Sequence, residues 1–235
     1  MPKRLSKEEW KMKTVVAVYT GQGLADPVKN LFTQLMPEYR LINIIDDGLI
    51  HDVIREGTVS KAITRRLIGY YRQAADMGAD LILNTCSSVG EVADYARPMF
   101  DIPIIKIDES MASEAVSRFG RIGVIATLPS TLTPTVRLLQ SQAERQGRAV
   151  QVVDGLADGA YHALINGRPE DHDRLILETA ERLAPDCDAL VLAQGSMARM
   201  ERALADRIGK PVLSSPHLGL LAVKAELERN AAVQP

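Results

Sequence analysis

An α/β architecture with two pseudo-symmetric lobes, each built on a parallel sheet, follows from two observations. Short apolar runs alternate with longer segments of helical spacing, and three landmarks recur along the chain at nearly one offset. The apolar runs fall at 14–19 (TVVAVY), 40–45 (RLINII), 80–85 (DLILNT), 103–107 (PIIKI), 121–126 (RIGVIA), 149–153 (AVQVV), 188–193 (DALVLA) and 211–214 (PVLS). Most are rich in Val, Ile and Leu at successive positions, as a sheet covered on both faces requires. Between them lie segments of helical periodicity, such as 60–77 and 133–146. Strand–helix alternation of this kind builds a parallel sheet through right-handed crossovers.

The recurrence divides the chain in two. Thr20, after the first run, matches Thr127 at an offset of 107. LILNTCSSV from Leu81 matches LVLAQGSMA from Leu190, pairing Cys86 with Gly195 at an offset of 109. Pro103 matches Pro211 at an offset of 108. A period this long means two similar lobes rather than a solenoid. The expected first lobe is 14–112 plus 212–230, the second is 113–211, and 1–13 forms a loosely held arm. Ligands of parallel sheets sit beyond the carboxyl ends of the strands, so two facing lobes place one site in the cleft between them.

Composition bounds the chemistry. The 235 residues are 46% hydrophobic and 25% charged, the balance of a folded protein rather than a disordered one. Lys plus Arg is 28 and Asp plus Glu is 30, a net charge of -2. No strong field draws nucleic acid or membrane as a partner. Aromatics at 4% are too few for a base-stacking surface. The start, MPKRLSKEEWKMK, is charged and lacks the apolar core of a secretory signal. No apolar stretch reaches the ~18 residues of a membrane span. Together these predict a cytoplasmic protein. Two cysteines, Cys86 and Cys187, are too few for a disulfide scaffold or a four-thiolate zinc site.

The sharpest local feature is Asn84-Thr85-Cys86-Ser87-Ser88, after an apolar strand and before a helix-like segment at 89–99. Free N–H groups and the positive end of a helix favour a thiolate there. Ser87 and Ser88 could bind an anion beside it. The pentapeptide alone is equally open to a plainer reading, a small buried cysteine ending a strand with serines as helix caps.

Three segments in order, NTCSSVG, ATLPST and LVLAQGSMARM, resemble the aspartate/glutamate/hydantoin racemase superfamily. The resemblance implies two α/β lobes, an active site between them, and no requirement for pyridoxal phosphate or metal. It implies a small carboxylate or hydantoin-type substrate and points to homo-oligomeric assembly. Racemases of the superfamily use one cysteine per lobe on opposite faces of the substrate α-carbon. The resemblance makes Cys86 the first-lobe cysteine. It places Thr20, Ser87, Ser88, Thr127, Thr131, Gly195 and Ser196 among the substrate-binding positions.

The departure from that pattern is Gly195, which stands where the second-lobe cysteine belongs. Cys187 lies eight residues earlier, about 26 Å away along an extended chain at ~3.3 Å per residue, and is read as structural. Glycine there is expected to leave room for a bulkier substrate substituent. One thiol still supports an isomerase working from one face. It also supports a decarboxylase or lyase protonating an enolate, as in the arylmalonate decarboxylase branch, whose single cysteine belongs to the other lobe. Covalent attack, as in the maleate isomerase branch, is a further option. A reading from another class is a retired enzyme that now only binds its ligand in a closing cleft.

Other residues are weighed on their surroundings. Gly21-Gln22-Gly23 follows the first strand, but Asp26 stands where a dinucleotide fingerprint needs its third glycine, so a tight active-site loop is expected. His51, His217 and Asp108 are the alternatives for an acid opposite Cys86. Asp108 also reads as a helix N-cap. Asp46-Asp47-Gly48 reads as a turn at the cleft edge. His162 and His172, in polar surroundings, are expected to be exposed.

Overall fold

The computed structural model describes residues 12–232. Apart from residues 12 and 13, the expected N-terminal arm lies outside the described residues. The first sheet carries β1 (Thr14–Tyr19), β2 (Arg40–Ile45), β3 (Leu81–Asn84) and β4 (Ile104–Lys106), in the order β2-β1-β3-β4. The second carries β5 (Arg121–Ala126), β6 (Gln151–Leu156), β7 (Ala189–Leu192) and β8 (Val212–Ser214), in the order β6-β5-β7-β8. Every pairing is parallel, and the two orders superpose when the strand number is raised by four. Each of the eight apolar runs forms a strand. β6 starts two residues later than its run and extends to Leu156.

Both-sided burial explains the apolar runs. Along β1, Val16 and Val18 face one core and Val15, Ala17 and Tyr19 the other. Strand side chains alternate with period two, so a strand covered by helices on both faces has no polar face. In the first lobe α2 (Gly48–Glu56), α3 (Lys61–Asp76) and α4 (Gly90–Ala96) cover one face. α3 starts at Ser60, whose hydroxyl accepts the Ile63 N–H at 3.4 Å and caps the helix. In the second lobe α6 (Pro129–Arg145) covers one face of the sheet. α8 (Pro169–Leu183) and α9 (Glu201–Ile208) cover the other.

The lobes exchange helices. α5 (Glu109–Arg118) follows the last strand of the first sheet, yet its Met111, Ala112, Ala115 and Val116 join the core of the second. α10 (Ser215–Ala232) follows the last strand of the second sheet, yet its Leu220, Val223 and Leu227 pack with β1 and α1 (Ala25–Leu35) in the first. Two lysines tie this return to carbonyls: Lys13 Nζ donates to Leu227 O at 2.9 Å and Lys224 Nζ to Leu35 O at 3.0 Å. Gly219 lets α10 pass close to the end of β4, since a Cβ there would sit 2.3 Å from the Ile107 carbonyl oxygen. The expected lobe boundaries therefore shift. Residues 212–214 pair within the second sheet, and α5, from Glu109 on, packs into the core of the second lobe. A single apolar pattern does not say which sheet a helix covers, so the crossing was invisible in the pattern.

Candidate active site

The carboxyl ends of β1, β3, β5 and β7 converge on a cleft of about 430 Å³. The first lobe contributes the loop Thr20–Leu24, Cys86 to Ser88, and Ile50 and His51 of α2. The second contributes Leu128, Thr131, Gln194 to Ser196 and one face of α7 (Ala160–Ile165).

Cys86 is the half-buried last residue of extended backbone before a 3₁₀ turn, Ser87–Val89, that leads into α4. Its loop is locked from below. Tyr71 Oη donates to Asn84 Oδ1 at 3.0 Å, and Asn84 Nδ2 donates to the Cys86 carbonyl at 3.0 Å. Thr85 Oγ1 donates to Val18 O at 2.9 Å. Burial pushes the Cys86 thiol up; hydrogen bonds from the Thr20 hydroxyl, the Ser88 and Val89 N–H groups and the Ser88 hydroxyl pull against it. The net direction is up. The helix behind Cys86 is only seven residues long and is preceded by a 3₁₀ turn, so individual donors rather than a long dipole face the sulfur.

Ser87, Ser88 and Thr131 all reach the cleft wall, but their hydroxyls are engaged across the lobes. Ser87 Oγ donates to the Ala193 carbonyl at 3.2 Å, and Ser88 Oγ and Thr131 Oγ1 share a hydrogen bond of 2.8 Å. These contacts fasten the two strand-end loops together beside Cys86. Thr20 faces the cleft and the sulfur. Thr127 does not line the cleft. Gln194 Oε1 accepts the Thr127 N–H at 2.7 Å, and Gln194 Nε2 donates to Thr127 Oγ1 at 2.8 Å. The long amide takes both polar groups of Thr127 out of reach of a ligand.

Gly195 and Ser196 line the cleft opposite Cys86. The room expected beside Gly195 is not there. A Cβ on Gly195 would lie 2.6 and 2.8 Å from the two methyl carbons of Leu24. Leu24, from the loop after β1, occupies the place a second-lobe side chain would take. Cys187 is fully buried and packs against Gly123 of β5, 2.9 Å from where a Cβ would stand.

Of the residues considered for an acid opposite Cys86, only His51 lines the cleft, at its exposed mouth. His217 is exposed and outside it. Asp108 is buried and lines a separate cavity of about 200 Å³ with Ser87, Lys106 and Arg145. It stands at the N-cap position of α5, as read, but its side chain makes no capping bond, and its Oδ1 has no partner. Burial pushes the Asp108 carboxyl up, against the charge of Lys106. His172 is fully buried rather than exposed. Its Nδ1 lies 2.8 Å from Asp173 Oδ1, and Arg199 holds that carboxylate from outside. The flanking charges hid the ring instead of marking a surface.

Several lining residues carried no sequence signal. Ser215, buried at the start of α10, has only its place just after a strand to mark it. Ile50, Tyr161, Leu164 and Ile165 form apolar walls from two helices that the sequence pattern did not single out. Among the described residues no Lys or Arg lines the cleft. Among the described residues no three His, Cys, Asp or Glu side chains are grouped to hold a metal ion. Among them, too, no helix is long and apolar enough to cross a membrane.

Known structures share this architecture. Glutamate racemase from Francisella tularensis, in complex with D-glutamate, is 16% identical with a TM-score of 0.76, covering 94% of this chain and 83% of that one. Allantoin racemase from Klebsiella pneumoniae is 18% identical with a TM-score of 0.70, covering 93% and 89%. Unliganded arylmalonate decarboxylase is 16% identical with a TM-score of 0.53, covering 90% and 91%. At these identities the likeness is one of fold. No curated protein matches the sequence significantly. The Asp/Glu/hydantoin racemase model, however, matches residues 15–223, nearly the whole two-lobed unit that surrounds Cys86, and the chain belongs to that family.

Proposed function

We propose that this chain is a cofactor-independent enzyme that moves a proton at the α-carbon of a small carboxylate or hydantoin-type substrate, with Cys86 as its acid/base. The observation that carries the reading is Cys86 itself. It is the one thiol on the cleft, with the Thr20 hydroxyl and the Ser88 and Val89 N–H groups directed at its sulfur. Those donors favour a thiolate once the thiol has lost its proton. The thiolate then removes the α-proton, the C–H electron pair passes into an enolate, and the thiol returns a proton to carbon. Ser196 and strand-end N–H groups stabilise the developing oxyanion. A positioned acid/base of this kind contributes about 10²–10⁴-fold.

A second reading is favoured by Leu24 over Gly195. With an apolar side chain where the opposing acid would stand, the proton returns from one face only. In a decarboxylase the C–CO2 bond breaks, its electron pair forms the enolate, and the Cys86 proton goes to carbon; water then reprotonates the sulfur.

The test is incubation in D2O with α-substituted acids, hydantoins and malonates, followed by NMR, with Cys86→Ala as control. Deuterium entering at the α-carbon, lost by about 10³-fold in the variant, supports the first reading. CO2 release with one-sided deuteration selects the second. Exchange undiminished in Cys86→Ala overturns both. Saturable binding with no exchange, unaffected by the substitution, leaves a ligand-binding protein.

A further inference from the structure

We infer that the substrate of this cleft carries one anionic group and an apolar substituent, the substituent resting on Leu24, Leu128, Ile50 and the Leu164–Ile165 face of α7. The inference rests on the carbon-acid reading and names the substrate class of the same site.

Three features point to it. The first is charge. Among the described residues the cleft lining holds neither Lys nor Arg, and its one carboxylate, Asp47, stands exposed at the rim in none of their ion pairs. The nearby cations are engaged elsewhere. Arg66 pairs with Asp46 and Asp52, Lys106 with Asp94, and Arg137 with Glu91. A second carboxylate would lose water here with no cation to meet it, beside a carboxylate of the same sign.

The second feature is the supply of neutral donors, which suits one anionic group. The N–H groups of Gly195 and Ser196 precede the first bond of their 3₁₀ turn, from Met197 N–H to Gln194 O at 3.0 Å. The Ser196 hydroxyl lies with them. The remaining hydroxyls, on Ser87, Ser88 and Thr131, are held by their inter-lobe bonds.

The third feature is the wall. Leu24 closes over Gly195, and Leu128, Ile50 and Leu164 continue an apolar surface that ends in Ile165, which is 55% exposed. A bound apolar substituent would remove that surface from water.

The experiment is protection of Cys86 from iodoacetamide, read by mass spectrometry, with buried Cys187 as internal reference. The probes are matched pairs, 2-methylbutyrate against 2-methylsuccinate and leucine against glutamate. The apolar monocarboxylate of each pair is expected to protect at about one tenth the concentration of its dicarboxylate partner. Ile165→Arg, at an exposed position that disturbs no core, brings a cation to the wall and is expected to narrow that gap. Equal or better protection by the dicarboxylates overturns the inference, as does absence of protection by every probe, or an unchanged gap in Ile165→Arg. α-Proton exchange measured on the protecting acids reports separately on the carbon-acid reading. Protection without exchange removes that reading and leaves the substrate class. Exchange of a dicarboxylate in preference to its apolar partner does the reverse.

Discussion

The two strand-end crossings of this molecule have the same backbone plan and different chemistry. In the first lobe Thr85 is short and spends its hydroxyl on Val18 O, so Thr20 is free to face Cys86. In the second, Gln194 stands at the position of Thr85, and its longer amide reaches across to Thr127. The next residue is Cys86 in one lobe and Gly195 in the other, and Leu24 fills the gap that the glycine leaves. The difference teaches that a duplicated frame fixes where a site can form, while the length of one polar side chain decides which copy keeps a working threonine.

The largest effect that would break this comparison is on chemistry. Cys86→Ala is expected to reduce α-proton exchange by about 10³-fold, whereas Cys187→Ala leaves the exchange rate unchanged. Equal losses in the two variants would remove the asymmetry between the lobes. Thermal or urea unfolding of both variants separates lost activity from lost fold.

Two glycines sharpen the comparison through packing. Gly219→Ala drives a Cβ against the Ile107 carbonyl oxygen, which belongs to the backbone and cannot turn aside. It is expected to cost about 3 kcal/mol in unfolding free energy. Gly195→Ala meets only the methyl ends of Leu24, a half-buried side chain, and is expected to cost about 1 kcal/mol. Leu24→Ala in the same chain should recover most of that cost. An equal loss at the two glycines, or no recovery, would show that Leu24 is not what fills the second-lobe position.

The threonines give a smaller, pH-resolved effect. Burial raises the Cys86 thiol, so kcat/KM is expected to climb with pH and to level only above the ordinary thiol value of about 8.5. Thr20→Val removes a donor to the sulfur, moves the climb to higher pH and lowers activity at neutral pH by about tenfold. Thr127→Val should leave the profile where it is.

Asp108 carries the smallest expected effect, on stability alone. Its folded carboxyl is raised above the unfolded one, so the folded state binds the proton more tightly. The stabilisation is complete below about pH 3.9 and is lost as pH rises through the raised folded value. Asp108→Asn should flatten that fall in chemical unfolding measured from pH 4 to 7. The same slope in both proteins would contradict it.

Much of this was legible in the chain. Strands buried on both faces must be apolar at successive positions, so β1, β3, β5 and β7 stood out as runs, while the edge strands β2 and β6 showed apolar runs with only partial burial. The near-constant offset between Thr20 and Thr127, Cys86 and Gly195, and Pro103 and Pro211 carried the duplication. What was not legible depends on contacts between distant segments. No periodicity reports that Leu24 lies over Gly195, that Gln194 holds Thr127, or that α5 and α10 cover each other's sheets. His172 reads as a surface residue because its neighbours are charged, and only the fold shows Asp173 and Arg199 enclosing it. Ser88 and Thr131 read as ligand-binding hydroxyls because residue type alone does not reveal a partner.

The exchange of α5 and α10 has a consequence for how the protein comes into being. The first sheet leaves the ribosome early, but Leu220, Val223 and Leu227, which complete one of its two cores, are made only after the whole of the second sheet. Vectorial, domain-by-domain maturation is therefore closed to this chain. Its first half waits with a bare apolar flank until α10 has been made, and a cut between the two sheets would leave neither half with all of its own covering helices.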